Sequence, residues 1–230
     1  MTGGLTVIAG PGDAGLAGGS PAAAAAGGPV VVLGDMAVTN PAAVRWLDRP
    51  PGSGDASGRL VIAPAGDGLW RTAPWPAADE LFELGDDTSG AVLLTGGEDG
   101  LRAAIAQAAS ARGVDVEPVE RLTREALAGA AAVVIADSPA GTLPARAFAV
   151  LAARRILLVP RIERTFGLED GLDHLEFSGP DDAVTILEAH ARNPDAFARV
   201  LTWGRLKAEA QRASVVYARL AADLGSDGVA

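Results

Sequence analysis

At 230 residues and with no cysteine, the chain can bury a sizeable core without staples, and disulfides, thiolate catalysis and cysteine-held zinc or iron–sulfur groups are excluded. Lysine and arginine number 19 against 29 acidic residues, a formal net charge of −10, so the field of the whole chain repels phosphate backbones and nucleic acid is not an expected partner. Two histidines and one tyrosine leave few of the side chains on which catalysis usually rests.

In chain order, short apolar runs alternate with helix-length amphipathic segments, the pattern of a Rossmann-like α/β fold in which a parallel sheet carries helices on both faces. Residues 5–9 and 29–33 read as strands, 41–48 as a helix and 59–63 as a strand, with a Pro-, Gly- and Ser-rich surface loop at 49–58. Strands follow at 91–94, 114–119, 131–136 and 156–159, alternating with helices at 99–112, 123–129 and 144–155. Most of the strand runs are apolar on both parities, as strands buried on two faces require.

A seam at residues 84–90 divides a reduced N-terminal α/β lobe, 1–88, from a complete α/β domain, 89–230. From about residue 195 to 224, Phe197, Val200, Leu201, Leu206, Ala210, Ala213, Val216, Tyr217, Leu220 and Leu224 recur at helical spacing. An unbroken helix there would reach about 40 Å, so it either braces both lobes or breaks near Trp203 and Gly204. Its outer surface is also a candidate contact for a protein partner. The start of the chain has no basic stretch before an apolar one, and no apolar run approaches a span of about 20 residues; the expectation is a soluble, cytoplasmic protein.

Several local patterns carry a functional and a structural reading. Gly10–Gly15, "GPGDAG", follows a strand in the G-x-G-x-x-G pattern of an NAD- or FAD-type site, with Asp35 placed to meet a ribose. Ser20 and Pro21, however, start the next helix too late to bring its N–H groups to a diphosphate, which favours a structural glycine loop. Gly96 and Gly97 join a strand to an amphipathic helix bearing Arg102, a phosphate-cradling arrangement that Glu98 and Asp99 oppose; both readings stand. His174 and His190 have no nucleophile motif beside them and read as solvated surface groups. Trp70 and Trp75, among prolines, read as core-edge packing rather than as a ligand wall.

Four longer segments point further: "PAADELFELGDDTSGAVLLTGG", "LAGAAAVVIADSPAG", "LPARAFAVLAARRILLVPR" and the run from "FGLEDGLDHLEF" through the closing helices. In type and order, over residues 76–224, they resemble the C-terminal, donor-binding domain of two-domain GT-B glycosyltransferases, in particular the spore-maturation-like branch. The resemblance implies transfer of a hexosyl group from a nucleotide-sugar donor (UDP-, GDP- or similar), with no cofactor and no metal. It also implies that the loops at 138–141 and 161–171 flank the donor, with Gly96, Gly97, Arg102, Ser138, Gly141, Arg146, Arg161, Phe166 and Gly167 as its binding residues. The chain departs from the family pattern where Ala149 and Gly141 stand in place of glutamates and Glu98 in place of a cation. A non-catalytic binding or partner subunit on the same fold is therefore the alternative, with the dinucleotide site at Gly10–Gly15 a lesser one.

Overall fold

The computed structural model describes residues 6–8, 16, 30–33, 44–47, 61–63, 71–85, 90–97, 99–137 and 141–226. Among the described residues five short strands come first: β1 (Thr6–Ile8), β2 (Val30–Leu33), β3 (Val44–Trp46), β4 (Val61–Ala63) and β5 (Arg71–Thr72). They pair in parallel in chain order. A 3-10 turn at Asp79–Glu83 leads to β6 (Ala91–Thr95), α1 (Asp99–Ala111), β7 (Glu117–Pro118), α2 (Arg124–Ala128), β8 (Ala130–Ile135), α3 (Ala147–Ala152), β9 (Ile156–Pro160) and β10 (Leu175–Phe177). The chain closes with α4 (Pro180–Arg192), a 3-10 turn at Pro194–Phe197, α5 (Ala198–Glu209) and α6 (Ala213–Ser226).

The second sheet is also all parallel, in the order β10-β9-β8-β6-β7. Successive residues in its strands face opposite cores, the period of two that the pleat imposes. Leu93, Val133, Ile135, Leu157 and Val159 pack with α3 and the turn at Leu81 and Phe82. Leu94, Ala132, Val134, Ile156 and Leu158 pack instead with Ile105 of α1, Leu187 of α4 and Val200 and Leu201 of α5. Burying each such Val, Leu or Ile contributes about 1.5–3 kcal/mol, and this is why the strands read as continuous apolar runs.

The arginine pair at the end of α3 is structural. Arg154 takes a left-handed φ of 56°, and the Arg155 side chain is buried, donating to the carbonyls of Leu127 (2.8 Å), Gly85 (2.8 Å) and Ala128 (3.3 Å). A cation thus satisfies the C-terminal carbonyls of α2.

The structure corrects the sequence reading in three places. Residues 44–46, expected within a helix, form β3, hydrogen-bonded between β2 and β4 with Val44 and Trp46 buried; tertiary pairing overrides the helix-start signal of Pro41. The long C-terminal helix breaks at residues 210–212, not at Trp203–Gly204. Gly204 lies inside α5, where a Cβ would come 2.5 Å from the Asp173 carbonyl and 2.9 Å from Leu151, so its bare backbone is the notch that seats the helix. At the observed break, Ala77 donates to the Gln211 carbonyl and accepts from the Ala213 amide, both at 2.8 Å, and Asp79 accepts from Ser214. Beyond it, α6 lays Val216, Tyr217, Leu220 and Leu224 against Val31, Trp46 and Trp75 of the first sheet's core. Finally, neither histidine is a surface group: His174 is 0% and His190 4% exposed.

No helix among the described residues is long and apolar enough to cross a membrane.

Candidate functional site

Strand order in the second sheet reverses at one place: from β6 the chain goes outward to β7, then returns to the other side of β6 to lay down β8. In open parallel sheets the C-terminal strand ends beside such a reversal diverge and leave a crevice. Here that crevice is a cleft of about 80 Å³ lined by Thr95 and Gly96 after β6, Ile135 and Asp137 after β8, Leu122, and Pro144, Ala145 and Arg146 ahead of α3.

The two glycines after β6 are demanded by geometry. Gly96 and Gly97 have φ of 73° and 77°, which side-chain-bearing residues rarely adopt. A Cβ on Gly96 would lie 3.1 Å from Asp137, and one on Gly97 only 2.4 Å from the Ala136 carbonyl. The β6–α1 turn therefore presses directly on the end of β8, an approach that the Ala136 amide fastens by donating to Thr95 at 2.7 Å.

Opposite the glycines, Arg146 stands with its guanidinium 5.8 Å above the Trp75 ring. Trp75 is fixed in turn, buried and donating from Nε1 to the Leu47 carbonyl at 3.0 Å. Trp75 is thus a packing residue, as its proline-rich setting implies, and it also braces a cation at the cleft. The polar groups of the wall are Thr95, Asp137 and Arg146, over a floor of Leu122 and Ile135.

The loops expected to flank a donor are tied to one another. Gly141, at φ 67°, accepts from the Glu163 (2.8 Å) and Arg164 (3.2 Å) amides, and Leu143 donates to the Arg164 carbonyl. Phe166 and Gly167 take consecutive left-handed conformations, and the Gly167 carbonyl accepts from Lys207 Nζ of α5 at 2.8 Å. Of the sequence-predicted residues, Gly96 and Arg146 line the cleft and Gly97 adjoins it. Arg102, Gly141, Arg161, Phe166 and Gly167 are not part of its wall. Ser138 lies outside the described residues, as do Gly10–Gly15, Asp35, Glu98 and Trp70. Asp137 and Thr95 are the polar wall residues that the sequence reading passed over; the signal was their position, at the ends of the two apolar strand runs.

The buried histidines take no part in this cleft. His174 Nε2 stands 3.4 Å from Glu176 Oε1, and both of its ring nitrogens lack hydrogen bonds. His190 sits edge-on to Phe197 at 5.2 Å, and burial holds its pKa below the usual imidazole value. Among the described residues, no three His, Asp or Glu side chains come together as a metal-holding group.

No protein-family model matches the chain, and no curated protein matches it by sequence. Solved structures do match. Anabaena Alr3699/HepE, a structure in complex with UDP and glucose, superposes with a TM-score of 0.60 at 9% identity over 86% of this chain and 78% of that one. TarM follows at 0.53 and 10% identity, over 84% of this chain and 54% of that one. The pneumococcal O-GlcNAc transferase GtfA, in complex with UDP and GlcNAc, gives 0.51 and 9%, over 81% and 57%. This is the GT-B glycosyltransferase fold. The chain spans only a little over half the length of TarM and of GtfA, while it spans more of HepE. On this GT-B scaffold the β6/β8 cleft is the strand-end crevice of the second sheet, and Ala149, where the resembling family carries a glutamate, is a buried core residue of α3.

Proposed function

We propose that the protein binds a nucleotide-sugar of the UDP or GDP type at the β6/β8 strand ends and transfers its hexosyl group to an acceptor. The observation that carries this reading is the cleft at the strand-order reversal, where a glycine turn leading into α1 faces a braced arginine. A helix N-terminus and guanidinium groups complement a diphosphate through oriented N–H groups and charge. In this reading Arg146 and Arg102 meet the phosphates, with Gly96, Gly97, Ser138 and Gly141 offering backbone, and Arg161, Phe166 and Gly167 close over the sugar. The bond from the anomeric carbon to the diphosphate oxygen breaks as the oxygen of an acceptor hydroxyl bonds to that carbon and releases its proton to solvent, and the arginines stabilise the departing charge.

Without glutamates at residues 141 and 149, Asp137 is, among the described residues, the carboxylate in the cleft wall that can receive donor hydroxyls. The enclosed part of the cleft, about 80 Å³, takes only a portion of a nucleotide-sugar, so the rest lies over the loops after β6, β8 and β9. The same reading divides the chain into lobes 1–88 and 89–230 and assigns the reaction to the cytoplasm, in keeping with the absence of cysteine. The C-terminal helices keep Trp203 and Leu206 exposed, where a protein partner would bind.

Calorimetry with UDP and GDP tests the reading. Saturable heat is expected for at least one of them, weakened about ten- to a hundredfold by Arg146→Ala, the effect of losing a charged hydrogen bond. No heat with either nucleotide overturns it.

A further inference from the structure

A larger cavity, about 640 Å³, lies at the opposite end of the same sheet, among the starts of β6 and β8 and the last turns of α1 and α4. Its volume falls in the range of small-molecule sites, about 300–1,000 Å³. We propose that this cavity is a second ligand site, for an uncharged heteroaromatic molecule carrying ring N–H donors. The site is independent of the β6/β8 cleft, with which it shares no described residue.

Three features of its wall select that chemistry. Val92, Val114, Leu187 and Pro194 supply apolar surface for a ring. Three of the charges in the wall are already engaged with one another: Arg112 grips Glu188 through two bonds, at 3.0 and 2.6 Å, and Arg192 reaches the same carboxylate at 3.2 Å. Arg112 is further held by the Asp181 carbonyl and Thr185 Oγ1, both at 3.1 Å, so an anionic ligand would have to break an existing network to recruit it. With Asp115 the formal charges of the described lining residues sum to zero, two arginines against two acids.

What the wall offers is acceptors. Two helices end here, and helix C-termini present carbonyls and the negative end of the peptide dipoles. At α1 the exit amides of Arg112 and Val114 occupy the Ala109 carbonyl and that of Gly113 the Ser110 carbonyl, so the open acceptors are those of α4. At α4 the exit returns the Asn193 amide to the Ala189 carbonyl, but Pro194 has no N–H for the His190 carbonyl one residue on. His190 also lines the cavity, 4% exposed, and its Nε2 has no hydrogen-bond partner. Buried polar groups are ordinarily satisfied, and a ligand with edge donors supplies what this corner lacks. Because burial disfavours a proton on His190, the ring adds no charge to the wall at neutral pH.

The test is amide NMR on the whole chain at neutral pH, titrated with indole, adenine and, as the anionic control, benzoate. Indole or adenine is expected to shift the amides of Gly90, Gly113 and Ala191 saturably, with benzoate weaker than both. Ala191→Trp, a change at an exposed position of the cavity lining, is expected to weaken binding at least about tenfold. His190→Phe, which keeps the ring shape and removes its nitrogens, is expected to weaken it as well, and the dispersion of either spectrum reports folding independently. Absence of shifts at those three amides, tightest binding by benzoate, or affinity unchanged in both folded variants would each overturn the proposal.

Discussion

At the C-terminal ends of β6 and β8 the chain turns on backbone geometry, with Gly96 and Gly97 at positive φ and Gly97 leaving no room for a Cβ against Ala136. At the opposite end of the same sheet Gly90 also approaches a backbone, the Gly129 carbonyl, without a left-handed φ, and side chains add most of the fastening: Arg155 collects three carbonyls and Arg112 binds Glu188 across to α4. The difference bears on how each end responds to change. Backbone conformation at a tight approach has no cheap substitute, whereas an exposed ion pair trades solvent contacts for protein contacts at little net gain.

Gly97→Val should be the most damaging change, since it adds left-handed strain to a steric clash with the Ala136 carbonyl. A loss of about 2–5 kcal/mol in denaturant unfolding is expected. A variant as stable as the parent would mean that the two strand ends do not press together. Next comes Arg155→Met, which fills similar volume but strands the carbonyls of Leu127, Ala128 and Gly85, at about 1–3 kcal/mol. Should it unfold at the parental midpoint, those carbonyls find other donors and the side-chain account of this end fails.

A pH series sharpens the comparison further. Burial depresses the folded pKa of His190 below its ordinary 6.5, so the unfolded chain binds the proton more readily. The stability this group supports is complete above pH 6.5 and is lost as pH falls from there toward the folded value. Unfolding measured at pH 7.5, 6.5 and 5.5 should show the parent losing more stability on acidification than His190→Phe, and parallel curves would refute a neutral buried ring. The smallest effect belongs to Glu188→Gln, at a partly exposed pair, with a midpoint shift smaller than that of Arg155→Met. A large loss there would make the Arg112 network structural and erase the contrast between the ends.

The second sheet was largely legible from residues, because strands buried on two faces write their burial directly into runs such as "AAVVIA" and "ILLV". Thr123 as an N-cap, accepting from the Ala126 amide, and the start of α1 at Asp99 were equally local. What escaped was set by distant partners. Val44–Trp46 becomes a strand because β2 and β4 flank it, and Gly204 looks like a helix breaker until Asp173 is seen against it. His190 misled for the same reason: a polar residue on an amphipathic segment shows its burial only once Phe197 packs over it. At the cleft, the glycine pair announced itself, and so did Arg146 through the family resemblance. Asp137 did not, since an acid after a strand gains meaning only when the strand order beside it is known.

The central claim is that the β6/β8 strand ends hold the nucleotide of a sugar donor. A crystal structure of the protein grown with UDP tests it most directly. The account predicts uridine diphosphate seated beside Gly96, Asp137 and Arg146, with its phosphates toward the N-terminus of α1. Nucleotide bound at any other place, with that cleft left empty at saturating UDP, would contradict it.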